Sequence, residues 1–135
     1  MFHLSKKVEY GLIALKHMAM ANQKKLHTTK EIAEQYSLSY ELLAKVMQKL
    51  ARSKFITSHQ GINGGYMLNS DPVELKVSKI INALEGKSSV SIVECEFGDH
   101  SECTIHSTCT IRKPLIKLQN NINKVLDELT VMEMF

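Results

Sequence analysis

Leu4, Val8, Leu12, Leu15 and Ala19 recur at steps of four, four, three and four, the apolar stripe of a helix running to about Ala21. Residues 22–27 break that pattern. Thr28 then opens T-T-K-E, a capping box in which its hydroxyl accepts from the Glu31 amide while Glu31 reaches back, so a helix of about eight residues is predicted through Tyr36. Residues 37–39 read as a tight turn with Ser39 as the next N-cap. Beyond it Leu42, Leu43, Val46, Met47 and Leu50 form a continuous stripe, leaving Tyr40, Lys45, Gln48, Lys49 and Arg52 to face outward or flank the core. The order is helix, short turn, basic helix.

Residues 55–59 and 66–68 have strand composition, and the interval between them holds Gly61, Asn63, Gly64 and Gly65, which predicts a β-hairpin with a flexible tip. Asp71-Pro72 ends it. Val77, Ile80, Ile81 and Leu84 predict a further helix stopped by Gly86, followed by a Ser-rich linker. The stretch ECEFGDHSECTIHSTCTIRK has no period and reads as a loop. After it, Ile111, Leu115, Leu118, Ile122, Val125 and Leu129 step by 4, 3, 4, 3, 4, a heptad seam with Pro114 tolerated in the first turn. Lys117, Gln119, Asn120, Asn121 and Lys124 make its opposite face polar, so this helix needs an apolar seat. A second copy of itself and the first helix of the same chain are the two candidates. The predicted fold is mainly α with a small β-hairpin: a winged helix-turn-helix over 1–70, then over 71–135 a helix, a cysteine loop and a long C-terminal dimerisation helix, intertwined as one unit.

Composition narrows the function. The chain of 135 residues is one domain's worth, and no apolar run has the shape of a signal peptide or reaches the roughly 20 residues of a membrane span, which points to a cytoplasmic protein without a membrane role. Residues 1–60 carry ten Lys or Arg against four acids, net +6, whereas residues 61–135 carry seven against ten, net −3. The first half suits a polyanion; the cysteine segment, with Glu94, Glu96, Asp99 and Glu102, would be repelled by one. A solvated mixed-charge surface is the plainer alternative.

Two constellations carry chemistry. The first is the helix-turn-helix with its glycine-tipped hairpin. A helix fits the major groove of B-DNA, the preceding helix braces it, and a hairpin with no bulky tip can approach the neighbouring backbone. Thr29, Ser39, Tyr40, Lys45 and Lys49 in the helices and His59, Asn63, Gly64 and Gly65 in the wing are the candidate DNA contacts. The second is Cys95-x7-Cys103-x5-Cys109, all the cysteines of the chain. In a reducing compartment three thiols on one polar loop suit a metal centre better than a disulfide framework. Structural zinc usually shows close C-x2-4-C pairs, absent here, and unligated thiols more often sit on buried apolar faces, so an iron–sulfur cluster is the favoured reading. A thiol nucleophile, Cys103 or Cys109 beside His106, is the enzymatic rival, but no third residue or oxyanion-hole signature accompanies it, and no small-molecule substrate is expected. His3, His17 and His27 read as ordinary surface or core residues.

These residues together resemble the IscR, NsrR and RirA family of iron–sulfur-sensing winged-helix transcription regulators. The resemblance runs almost end to end through L-S-K-K-V-E-Y-G-L, T-K-E-I-A-E-Q-Y-S-L-S, G-I-N-G-G-Y-M-L, I-I-N-A-L-E-G and the cysteine triplet. The cysteine spacing and the ending I-N-K-V-L-D-E-L-T look most like members that regulate the SUF cluster-assembly system. The resemblance implies a homodimer on a palindromic promoter site, a repressor rather than an enzyme, whose DNA affinity depends on a [2Fe–2S] or [4Fe–4S] cluster held by Cys95, Cys103 and Cys109. IscR-like members place a histidine three residues past the third cysteine, where Arg112 stands here. NsrR-like members supply an acid from the first helix of the other subunit, and Glu9 occupies that position; His100 and His106 are further candidates for the fourth ligand. A cluster-free thiol-redox or zinc-dependent regulator is the runner-up.

Overall fold

The computed structural model describes residues 3–21, 25–86, 91–93 and 103–135. In chain order the elements are α1 (Lys6–Met20), α2 (Thr29–Gln35), α3 (Tyr40–Arg52), β1 (Ile56–His59), β2 (Gly65–Leu68), α4 (Val77–Glu85), α5 (Arg112–Glu128) and α6 (Val131–Met134). The architecture is mainly helical with a two-stranded antiparallel hairpin, a winged helix. The Ser-rich linker, Cys95 and His100 fall outside the described residues. Among those described, no helix is long and apolar enough to cross a membrane.

Helices α1, α2, α3 and α6 start where the sequence offers an oxygen to their free amides, whereas α4 and α5 start without a side-chain cap. Ser5, Thr28 and Ser39 accept from the amides of Val8, Glu31 and Leu42. At α2 only half of the anticipated capping box forms, because the Glu31 carboxylate turns instead toward His17, Lys25 and His27. A complete capping box opens α6, which the heptad pattern did not reveal. There the Thr130 amide, and next its hydroxyl, donate to the Glu133 carboxylate and hold its pKa below the ordinary 4.5. Gly86 ends α4 in the left-handed conformation at φ 73°.

A single apolar core joins α1, α2, α3, α4, β1 and α6. On α1 its centre is Val8, Gly11, Ala14, Leu15 and Met18, so the helix is rotated from the stripe read off the larger residues, and Leu12 and Ala19 flank the core. Gly11 explains the rotation. A Cβ there would stand 2.5 Å from Leu84 Cδ1, so the Leu84 side chain of α4 packs directly onto the α1 backbone at this point. On α4 the predicted stripe is buried as read, Val77, Ile80, Ile81 and Leu84; on α3 Leu43, Val46, Met47 and Leu50 are buried, whereas Leu42, read into the same stripe, is only half-buried.

The hairpin pairs Ile56 with Leu68 and His59 with Gly65. A third backbone strand position, invisible in the sequence, completes it: His27 bridges Tyr66 through two bonds, His27 N to Tyr66 O at 2.8 Å and Tyr66 N to His27 O at 2.7 Å. This ties the segment before α2 to the wing.

The long helix departs from the expected seam. Among the described elements its main partner is α4. Gln119, placed on the polar face by the sequence pattern, is the buried residue of α5, and its Oε1 accepts from the amides of Ile92 at 2.7 Å and Val93 at 3.3 Å. Leu126 and Leu129 touch the core, whereas Ile111, Leu118 and Val125, seven residues apart, are 53%, 48% and 60% exposed.

Candidate nucleic-acid interface and cysteine loop

Between the N-termini of α2 and α3 and the wing lies an open groove of about 330 Å³, lined by Thr28, Thr29, Lys30, Tyr40, Ser58, His59, Gln60, Gly61, Gly64, Gly65 and Tyr66. Thr29, Tyr40, His59, Gly64 and Gly65 were read from the sequence; the structure adds Lys30, Ser58 and Gln60, which periodicity left unmarked. The groove holds its shape through the turn between the helices. Ser37 adopts φ 54°, and the Ser39 amide donates to Tyr10 Oη of α1 at 3.2 Å. Free amides at helix starts and unhindered glycine backbone are apt for phosphate oxygens.

The remaining contact candidates divide. Ser39, Lys45 and Asn63 are exposed. Lys49 is not a free cation: its Nζ donates to the Leu84 carbonyl at 3.0 Å, capping the end of α4. Its position after Gln48 on an outward-facing turn gave no hint of this, because α4 had no place in a pattern read from α3 alone. Lys49→Ala is therefore expected to leave the salt dependence of DNA binding unchanged and to cost stability, about 1–2 kcal/mol by urea unfolding.

The glycines at the wing root are fixed by contacts. At Gly65 the backbone runs at φ 154°, and a Cβ would meet the His27 carbonyl oxygen at 2.8 Å; at Gly64 it would meet the His59 oxygen at 2.4 Å. Gly65→Ala must push His27 off Tyr66 on top of its backbone penalty, so its loss in thermal or urea unfolding is expected to exceed that of Gly61→Ala by about 1–3 kcal/mol. Gly61→Ala, with nothing within 4 Å, should cost only its backbone preference, about 1–2 kcal/mol. Equal losses at both positions would contradict the role given to the His27 bridge.

In the cysteine loop, Cys103 is exposed and Cys109 half-buried, and neither is in a disulfide. Successive turns, His106 N to Cys103 O at 3.2 Å and Thr108 N to Ile105 O at 3.0 Å, carry the chain from one thiol to the other and into α5. Soft donors left unbridged and outside the core fit what an iron–sulfur centre requires. His106 Nε2 lies 2.8 Å from Arg112 Nη1, so ligation through that nitrogen would first have to break this bond. Glu9 sits half-buried in the first turn of α1, and Lys6 donates to its Oε2 at 2.7 Å, an interaction that raises the Lys6 pKa.

A hairpin, a helix-turn-helix and a groove between them define a winged-helix regulator of transcription. The chain belongs to the Rrf2 family, described as iron-dependent transcriptional regulators, which it matches over residues 4–135. It is 30% identical over 132 residues to the HTH-type transcriptional regulator NsrR of Oceanobacillus iheyensis, covering 98% of this chain and 88% of that one. Its fold is similar to the crystal structure of CymR, the global cysteine regulator of B. subtilis (TM-score 0.76, 27% identity, 99% and 96% of the two chains). It is also similar to T. potens IscR (TM-score 0.72, 26% identity, 98% and 85%).

Proposed function

We propose that this protein is an iron–sulfur-sensing repressor that binds a palindromic promoter site as a homodimer and controls cluster-assembly or iron, nitric oxide or redox response genes. The observation that carries the reading is the groove formed by α2, α3 and the wing, joined through a common core to the helix that the cysteine loop feeds. Cys95, Cys103 and Cys109 would hold the cluster, with Glu9 of the partner subunit as fourth ligand. A bound cluster supplies a centre that responds to oxidants, nitric oxide or iron supply; the chain does the rest.

Ile111, Leu118 and Val125 form an exposed stripe along one face of α5, and burying such a stripe against a second α5 is favourable by about 25 cal/mol per Å². Dimerisation through that face would bring one cysteine loop to the other subunit's α1. Because α1 also braces the α2–α3 turn through Tyr10, ligation at Glu9 would bear on the spacing of the two reading heads. Thr29, Tyr40, Lys45, His59 and the wing glycines would contact bases and phosphates. If Lys45 neutralises a phosphate, Lys45→Ala will weaken all DNA sequences alike and reduce the salt slope by about 1, as measured by fluorescence anisotropy at several salt concentrations.

A cluster-free thiol regulator is the second reading, favoured by the exposed Cys103 and the likeness to a cysteine regulator. Anaerobic purification with an absorption spectrum, iron and acid-labile sulfide analysis, and DNA binding before and after cluster removal separate the two. Iron with sulfide and a changed affinity on removal is expected. Colourless protein that cannot be reconstituted, yet binds DNA according to its thiol state, would establish the second reading instead.

A further inference from the structure

Away from the groove and the cysteine loop, three metal-ligating side chains from three segments converge. His17 comes from α1, His27 from the residue that bridges the wing, and Glu31 from the first turn of α2. His17 Nε2 stands 3.1 Å from His27 Nδ1, and Glu31 Oε1 stands 3.8 Å from the first nitrogen and 3.7 Å from the second. Donor atoms around a tetrahedral ion with bonds of about 2.0–2.1 Å lie about 3.3–3.4 Å apart. Shifts of a few tenths of an ångström would therefore turn this triangle into three corners of a coordination shell.

Hydrogen bonding alone explains the cluster poorly. The carboxylate is beyond hydrogen-bond range of either imidazole, and His27, 2% exposed, finds no partner for its Nε2. What this buried ring does, it does through Nδ1. Its pKa is held below the ordinary 6.5, first by burial and then by the facing His17. His17 is oriented from behind, its Nδ1 lying 3.0 Å from Tyr36 Oη, as the second nitrogen of a ligating histidine commonly is by a polar partner. Lys25 Nζ, 3.7 Å from Glu31 Oε1, is on a long exposed side chain that can withdraw.

We propose that His17, His27 and Glu31 bind a divalent transition-metal ion of zinc's class, with water in the fourth position. Two imidazoles and one carboxylate form the donor set of borderline hardness that such ions take. The ion would fasten α1, the wing and α2 to one another at a single point.

The test uses the full chain carrying Cys95→Ser, Cys103→Ser and Cys109→Ser, so that no thiol competes and no cluster forms. Titrated with Co²⁺, it should bind one ion per chain with visible tetrahedral d–d bands and no thiolate charge-transfer band, and Zn²⁺ should displace it. Adding His17→Gln or Glu31→Gln should weaken binding by more than about a hundredfold, beyond what loss of a supporting partner costs. Tyr36→Phe, an exposed and conservative change, should weaken it by about tenfold at unchanged stoichiometry. Absence of cobalt binding in the thiol-free chain overturns the proposal, as does binding that survives both ligand substitutions. Because neither DNA nor the cluster enters the assay, its outcome is independent of the proposed regulatory function.

Discussion

Leu84→Ala will lower the unfolding free energy by about 2–5 kcal/mol, a large share of what a domain of this size has in total. Leu84 is 0% exposed and sits where α4 crosses α1 over Gly11 and meets α3 near Val46. Its removal leaves a cavity bounded by two helix backbones that cannot easily close on it. The same crossing predicts a non-additive pair. Alone, Gly11→Ala places a methyl 2.5 Å from Leu84 Cδ1 and 3.6 Å from Val46 Cγ1, and overpacking of this kind costs about 1–3 kcal/mol. In the Leu84→Ala background the obstacle is gone, and the higher helix propensity of alanine, worth up to about 1 kcal/mol, becomes available. Urea unfolding of the two single variants and the double variant should thus give a double variant no less stable than Leu84→Ala. Simple addition of the two losses would show that the cost of Gly11→Ala does not arise from Leu84, and a Gly11→Ala variant as stable as the parent would show that Leu84 swings aside.

This crossing also shows how much of the fold the sequence disclosed. Large apolar residues at helical spacing placed α3 and α4 correctly, because Leu43, Val46, Met47 and Leu50, and then Val77, Ile80, Ile81 and Leu84, are both strongly hydrophobic and buried. On α1 the pattern was rotated because the innermost positions include Gly11 and Ala14, which carry little hydropathy signal, and at Gly11 the space a side chain would take is filled by Leu84. Gln119 misled in the opposite sense. A glutamine among polar neighbours reads as solvent-facing, yet it satisfies two amides of residues 92 and 93, more than twenty positions away in sequence. The His27 bridge and the Lys49 bond to α4 were hidden for the same reason, since each joins segments that no local window contains. Caps, turns and the wing were legible because their chemistry is local: hydroxyls at Thr28 and Ser39, and glycines where a Cβ would strike a carbonyl oxygen.

At the cysteine loop the expected result is a graded series. Cys103→Ser and Cys109→Ser should each abolish stable assembly of an iron–sulfur cluster, since an alcohol is a far poorer donor to such iron than a thiolate. Cys103 is exposed and Cys109 half-buried on a loop outside the core, so the melting temperature of cluster-free protein should barely move. Glu9→Gln should behave differently. A carboxylate is a hard, weak ligand for this centre, so three thiolates should still gather iron and sulfide, but the cluster should be lost faster on exposure to air. His106→Ala should change little, because the Nε2 of that ring already faces Arg112. DNA binding should follow the same order. If ligation sets the separation of two reading heads, a shift that removes two base contacts, each worth about 1–3 kcal/mol, alters affinity by at least about thirtyfold. In Cys103→Ser that difference between cluster-loaded and cluster-stripped preparations should vanish, while in His106→Ala it should persist. Iron and sulfide analysis run beside anisotropy titrations at one fixed salt concentration would measure both. A Cys103→Ser protein that still assembles a full cluster would remove the loop from the sensing role assigned to it.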